Sequence, residues 1–117
     1  EYDAPRRVLE ALPGSRLVEM ERHRNQAMCC GAGGGRMWIE ERSGERINRV
    51  RVAQAAATGA SVAALACPFC ATMFKEGSEA QELPLESADL AVLVARAMGL
   101  EPQPAAATPP QPAPGAR

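Results

Sequence analysis

Residues 61–70 read Ser-Val-Ala-Ala-Leu-Ala-Cys-Pro-Phe-Cys, and this decapeptide decides the fold class. Ser61 to Ala66 is a short apolar run without polar alternation, the composition of a strand buried on both faces in a parallel sheet. It ends directly at Cys67. Pro68 follows, and a proline in the first helical turn loses no hydrogen bond and has its φ preset, so a helix is expected toward Lys75. Strand, cysteine and helix in immediate succession describe an α/β layer, where sites form beyond the carboxyl ends of the strands.

Downstream, Leu83-Pro84-Leu85 is an extended connection, and Ser87 is expected to cap a last helix carrying Leu90, Leu93, Val94 and Ala97, with Gly99 as its stop. Residues 101–117 are Pro/Ala-rich and hold no large apolar residue, so they cannot offset their own ordering entropy. A disordered tail is expected there, leaving residues 1–100 as one folded domain.

Upstream, Met37 to about Thr58 has helical periodicity, with a possible break at Gly44 and an apolar stripe of Ile47, Val50, Ala53 and Ala57. Before it lies Cys29-Cys30-Gly31-Ala32-Gly33-Gly34-Gly35, a loop whose glycines escape ordinary backbone limits. Glu21 to Gln26 is polar and aperiodic. Arg16 to Met20 is read as a short strand, and Asp3 as the cap of a first helix with Pro5 in its opening turn, Val8, Leu9 and Leu12 on one face, and Pro13-Gly14 as its stop. The order is helix, strand, loop, helix, strand, helix, helix. That predicts a small parallel sheet flanked by helices, with both cysteine loops at strand C-terminal ends.

Thirteen Lys and Arg against fourteen Asp and Glu give the 117-residue chain a net charge of -1, which favours neither nucleic acid nor an anionic membrane surface. There is no membrane span in the sequence and no signal peptide, so a cytoplasmic setting is expected. The first residue is Glu1, within an incipient helix, which reads as a piece of a longer polypeptide.

Four cysteines in such a setting suit ligation or redox chemistry better than structural disulfides. Soft thiolates select iron–sulfur clusters, zinc or copper(I). The glycines let the main chain approach a bulky cofactor, a following helix N-terminus offers free N–H groups, and Arg36 adds positive charge. Adjacent Cys29 and Cys30 point in different directions, which is awkward for one small ion and workable for a multi-iron cluster. A four-cysteine zinc site also expects two C-x-x-C knuckles, and only Cys67-x-x-Cys70 is present.

The run Cys-Cys-Gly-Ala-Gly-Gly-Gly-Arg-Met-Trp at 29–38, followed after a long spacer by Cys67-Pro68-Phe69-Cys70, resembles the cysteine-rich CCG domain of heterodisulfide reductase and related iron–sulfur oxidoreductases. The resemblance covers roughly residues 1–100, which it implies are the C-terminal part of such a domain, and includes Arg46-Ile47-Asn48. It implies a 4Fe-4S cluster, non-cubane in some members, held by Cys29, Cys30, Cys67 and Cys70, with Gly31, Gly33 and Arg36 beside it. It also implies a fifth cysteine further upstream, and none of the 28 residues before Cys29 is a cysteine. By resemblance the chain is an electron-transfer module of a larger oxidoreductase, linking a flavoprotein to a quinone or similar acceptor, with the rest of the polypeptide providing any attachment to the inner face of the plasma membrane. Disulfide reduction at the cluster and a structural zinc module are the competing functions.

Other features have plainer readings. Gly33-Gly34-Gly35 lacks the Gly-Lys-Ser/Thr ending of a P-loop and does not complete G-x-G-x-x-G. Cys67-x-x-Cys70 alone would suit a redox dithiol. His23 reads as a solvated loop residue and Trp38 as packing over the site. Arg36, Arg42, Arg46, Arg49 and Arg51 read as a solvated basic face paired with Glu40, Glu41 and Glu45, or as a dock for an acidic redox partner.

Overall fold

The computed structural model describes residues 1–40 and 44–100. At its centre, β1 (Val62–Leu65) leads through α3 (Pro68–Ala80) to β2 (Glu86–Asp89), and the two strands pair in parallel, Val62 opposite Glu86 through Leu65 opposite Asp89. Parallel strands need such a crossover because a tight hairpin joins only antiparallel ones. α2 (Ile47–Ala56) precedes β1, α4 (Leu90–Ala97) follows β2 directly, and α1 (Asp3–Ala11) lies at the N-terminus. The α/β class with a small parallel sheet and flanking helices is as expected. The tail and the pair Glu41 and Arg42 lie outside the described residues.

The second strand is not the one expected. Glu86-Ser-Ala-Asp89 has no apolar run of its own, and it becomes a strand by pairing with β1, beginning with the Glu86 N–H donating to the Ser61 carbonyl at 2.9 Å. Strand identity here comes from the neighbour rather than from intrinsic preference. Ser87 is therefore a strand residue. The α4 cap is Asp89, whose carboxylate accepts from the Ala91 N–H at 2.8 Å.

Arg16 to Met20 carries no ladder among the described residues, because an extended segment is a strand only when a partner completes its hydrogen bonds. The segment is instead held through side chains. Met20 packs against the core, Glu19 pairs with Arg6 of α1, and Arg24 pairs with Asp3. Asp3 lies within α1 rather than capping it. Glu1 does that work, accepting from the Asp3 and Ala4 N–H groups at 2.7 and 2.8 Å.

The helix expected from Met37 begins only at Ile47. Gly33–Trp38 forms a 3-10 turn broken by left-handed backbone at Gly34 and Gly35, which separates the glycine loop from α2. The buried face of α2 is Asn48, Arg51, Val52 and Ala55, one residue out of step with the expected stripe. Helical spacing is kept while the face turns by about 100° per residue of offset.

The cause is the contact with α3. Gly77 of α3 faces Val52 and Asn48 so closely that an added Cβ would lie 2.9 Å from Val52 Cγ2, and the Asn48 amide donates to the Met73 carbonyl at 3.2 Å. Val52, Ala55, Phe74 and Leu85 form the core, joined by Met20, Cys30, Ala63, Leu65 and Leu83. Burying Phe74 contributes about 1.5–3 kcal/mol relative to leaving it exposed. Cys30 is thus anchored to the same core that supports β1.

Candidate functional site

Cys67 occupies the N-cap position of α3, in extended backbone two residues beyond β1, and Cys70 lies in the first turn of the helix. The strand fixes where the chain arrives, and Pro68 starts the helix immediately. Backbone N–H groups at a helix start lack intrahelical partners. Those of Cys70 and Phe69 hold the Cys67 thiol pKa below its ordinary value.

The other pair is held differently. Cys29 and Cys30 follow no strand, and the chain reverses at Gly31, where φ is +93°. Gly31 is buried against the start of α2, and a Cβ there would lie 3.2 Å from Ile47 Cβ and 3.4 Å from the Asn48 nitrogen. Only glycine satisfies both that backbone angle and that contact. The turn aims the Gly31 N–H at Cys29 Sγ, 3.3 Å away, and this amide, followed by that of Gly33, lowers the Cys29 pKa. Gly33 also lies beside this sulfur, where an added Cβ would make an ordinary contact at 4.0 Å.

The two loops meet at Cys30 and Cys70, forty residues apart in sequence, where the Cys70 thiol donates to Cys30 Sγ at 3.2 Å. All four cysteines are free thiols. Burial, and then the Cys30 thiol beside it, push the Cys70 pKa up to about 12. Each pair therefore combines one thiol eased toward thiolate by backbone amides, Cys29 or Cys67, with a more enclosed one that contacts the opposite pair. Both loops also lie against helix starts, Cys30-Gly31 beside α2 and Cys67 at α3, where N–H groups and the positive dipole end favour an anion.

A bulky thiolate-ligated group fits this donor set, since the chain supplies soft sulfur donors from two loops, an amide aimed at one sulfur, and a position without a side chain next to it. Among the described residues, no three His, Cys, Asp or Glu side chains converge as ligands of a single metal ion. His23 is half-buried, its Nδ1 sharing a hydrogen bond with the Met20 carbonyl at 2.8 Å. A shallow groove of about 640 Å³ between α3 and β2, lined by Lys75, Glu79, Leu83 and Ser87 among others, includes none of the cysteines.

Several expected neighbours are placed otherwise. Arg36 is exposed on the 3-10 turn and lines a small crevice with Gly31, Arg46 and Asn48. Trp38 is 75% exposed, at the end of the 3-10 turn that Gly34 and Gly35 interrupt with left-handed backbone. Arg46 pairs with Glu76 of α3 rather than with a neighbour on its own segment. Arg51, expected on a solvated face, is buried, and it donates to the Arg22 carbonyl at 3.0 Å and to Gln54 Oε1 at 2.9 Å. Its sole sequence signal was its place three residues after Asn48 and four before Ala55, a helical spacing hidden by its polarity.

A parallel α/β domain with a C-C-G loop facing a C-P-x-C helix start is a cysteine-rich domain of a definite kind. The chain belongs to the CCG cysteine-rich domain family, which matches residues 1–75. It is 56% identical over 81 residues to the probable iron-sulfur-binding oxidoreductase FadF of Bacillus subtilis (strain 168), covering 69% of this chain and 12% of that protein. It is 41% identical over 88 residues to the EtfAB:quinone oxidoreductase of Syntrophomonas wolfei, again 69% and 12%. A third relative is one component polypeptide of the dihydromethanophenazine:CoB--CoM heterodisulfide reductase of Methanosarcina mazei, 38% identical over 100 residues, 86% of this chain and 24% of that one. The chain thus spans between about an eighth and a quarter of the length of these relatives. No solved structure matches it. Among the described residues, no helix is long and apolar enough to cross a membrane.

Proposed function

We propose that the chain is an iron–sulfur electron-transfer module of a larger oxidoreductase, in which Cys29, Cys30, Cys67 and Cys70 supply thiolate ligands to a 4Fe-4S cluster. The observation that carries this reading is the 3.2 Å approach of Cys30 and Cys70, which joins two cysteine pairs lying far apart in sequence. Admitting a multi-atom group requires the two sulfurs to part, and the Cys29-Cys30 loop, free of any ladder, is the side able to yield. When bound, such a cluster accepts and returns single electrons. The protein orients the four thiols, directs the Gly31 N–H to Cys29 Sγ, and partly shields Cys70 from water.

The names of the relatives support a position between a flavoprotein and a quinone. In this reading Gly31, Gly33 and Arg36 lie beside the cluster, and the surrounding polypeptide brings the module to the inner face of the plasma membrane. The family resemblance allows a non-cubane form of that cluster. A second reading, disulfide reduction at the cluster itself, draws on the heterodisulfide reductase relative. A structural zinc site is less favoured because it expects two C-x-x-C knuckles and Cys67-x-x-Cys70 is the one present.

Protein purified without oxygen is expected to be brown, to hold about four irons per site, and to give an iron-based paramagnetic signal. Colourless protein with one zinc per chain overturns the proposal. A relay is expected to exchange electrons with a flavoprotein or quinone and to ignore disulfides, whereas a reductase would consume a heterodisulfide with a reduced dye.

A further inference from the structure

We propose that Arg51 is a positioning residue whose buried guanidinium sets the reduction potential at the cysteine site, an inference that rests on the iron–sulfur reading above. Arg51 is 7% exposed, the one buried arginine among the described residues. Arg6, Arg24, Arg46 and Arg96 each pair with a carboxylate, namely Glu19, Asp3, Glu76 and Glu86, and all four lie nearer to solvent. Among the described residues, Arg51 has no such carboxylate. Its two hydrogen-bond acceptors, the Arg22 carbonyl and Gln54 Oε1, are neutral.

A buried cation with neutral partners is unfavourable unless an anion lies within reach. Burial first, and then nearby Arg22, hold the Arg51 pKa below its ordinary value, and against them Cys30 is the group that favours its charge. Cys30 is itself half-buried and packs on the core formed by Val52 and Ala55 of the same helix, and its neighbour Gly31 lies against Ile47 and Asn48, one turn before Arg51.

Arg51 also clamps the approach to the site. It ties α2 to Arg22, and Gln54, its neighbour, donates to Met28 Sδ at 3.6 Å immediately before Cys29. A neutral amide side chain could make the same hydrogen bonds without burying a charge. The charge is therefore what the clamp alone leaves unexplained. Gain of one electron at the site adds one negative charge with no bond made or broken, and a fixed positive charge nearby favours that reduced form.

The test uses anaerobically purified protein, titrated with a reduced one-electron dye and followed by visible absorption and paramagnetic resonance. Arg51→Gln, which keeps hydrogen-bonding capacity and removes the charge, is expected to shift the one-electron equilibrium about tenfold toward the oxidised form, a fall of about 59 mV. Arg51→Lys is expected to recover most of it. Gln54→Glu leaves Arg51 in place but gives it a carboxylate, and is expected to lower the potential in the same direction. It serves as the measure should Arg51→Gln fail to fold.

Wild-type potential in Arg51→Gln, or in Gln54→Glu, overturns the proposal. So does equal loss of iron in the folded Gln and Lys variants, which would assign Arg51 to the geometry of the clamp. Loss of iron in folded Arg51→Gln with retention in Arg51→Lys supports it. Wild-type protein without iron defeats the parent reading first, before any variant is compared.

Discussion

The two cysteine pairs carry the same thiol groups on unlike supports. Cys67 and Cys70 sit where β1 becomes α3, so a strand ladder on one side and helical hydrogen bonds on the other fix their backbone. Cys29 and Cys30 have neither. Their loop is shaped by Gly31 at φ +93°, by the start of α2 pressed against that glycine, and by the Arg51–Gln54 clamp on the approach. One pair is thus placed by local structure and the other by tertiary contact. The second is correspondingly easier to displace.

Ligand loss has the largest effect and strikes both pairs alike, since both supports exist to bring four sulfurs together. Cys30→Ser and Cys67→Ser are each expected to lose more than half of the bound iron per chain, read by iron analysis of anaerobically purified protein. Full retention in either variant would remove that cysteine from the site.

Gly31→Ala attacks only the glycine-supported loop. The left-handed backbone costs about 1–3 kcal/mol for a residue with a Cβ. The new atom also meets Ile47 Cβ at 3.2 Å, a contact the rigid start of α2 relieves poorly. A loss of about 2–4 kcal/mol in urea unfolding is expected, together with reduced iron content. Gly77→Ala attacks the crossover side. Alanine gains about 1 kcal/mol of helix propensity, but its Cβ would press to 2.9 Å on Val52 Cγ2 and 3.1 Å on the Asn48 carbonyl, which costs about 1–3 kcal/mol. A net loss of about 1 kcal/mol is expected, felt by both pairs because α3 carries one and the start of α2 packs against the loop of the other. If Gly77→Ala proves worse than Gly31→Ala, the helix contact rather than the loop is the weaker support.

The same contrast governs what could be read from the chain in advance. The β1–α3 junction was legible because its signals are local and redundant, an apolar run and a proline at the helix start. The glycines after Cys30 announced a loop, and the left-handed angles at Gly31, Gly34 and Gly35 agree. β2 was not legible, since Glu-Ser-Ala-Asp acquires its strand only from β1. Nor was the buried face of α2. Two of its four members, Asn48 and Arg51, are polar, so an apolar stripe one residue away looked better while lying more exposed. The family resemblance pointed to four cysteines that the fold gathers as two facing pairs, but not to Arg51, whose role depends on what packs around it.

The smallest effect tests how far the tertiary support of the first pair extends. Glu19 and Arg6 join α1 to the segment that leads toward Cys29, and no residue of α1 is buried, so this pair and Asp3–Arg24 are the visible ties. Arg6 holds the Glu19 pKa below its ordinary value, chiefly through their hydrogen bonds. A carboxylate with a depressed folded pKa stabilises the protein above its unfolded value, about 4.3, and loses that contribution as pH falls through the folded value. The Glu19 side chain is 34% exposed, so the pair is worth about 0.2–1 kcal/mol. Glu19→Gln should therefore lower stability by no more than that at pH 7, with the difference shrinking as the pH falls through the folded Glu19 value and the acid limb flattened accordingly. High salt should shrink the difference further. Iron content should not move, because the clamp at Arg51 stands between this tie and the cysteines. A fall in iron would mean that the glycine loop takes its position from α1 as well, and the support of Cys29 and Cys30 would then reach to the first helix of the chain.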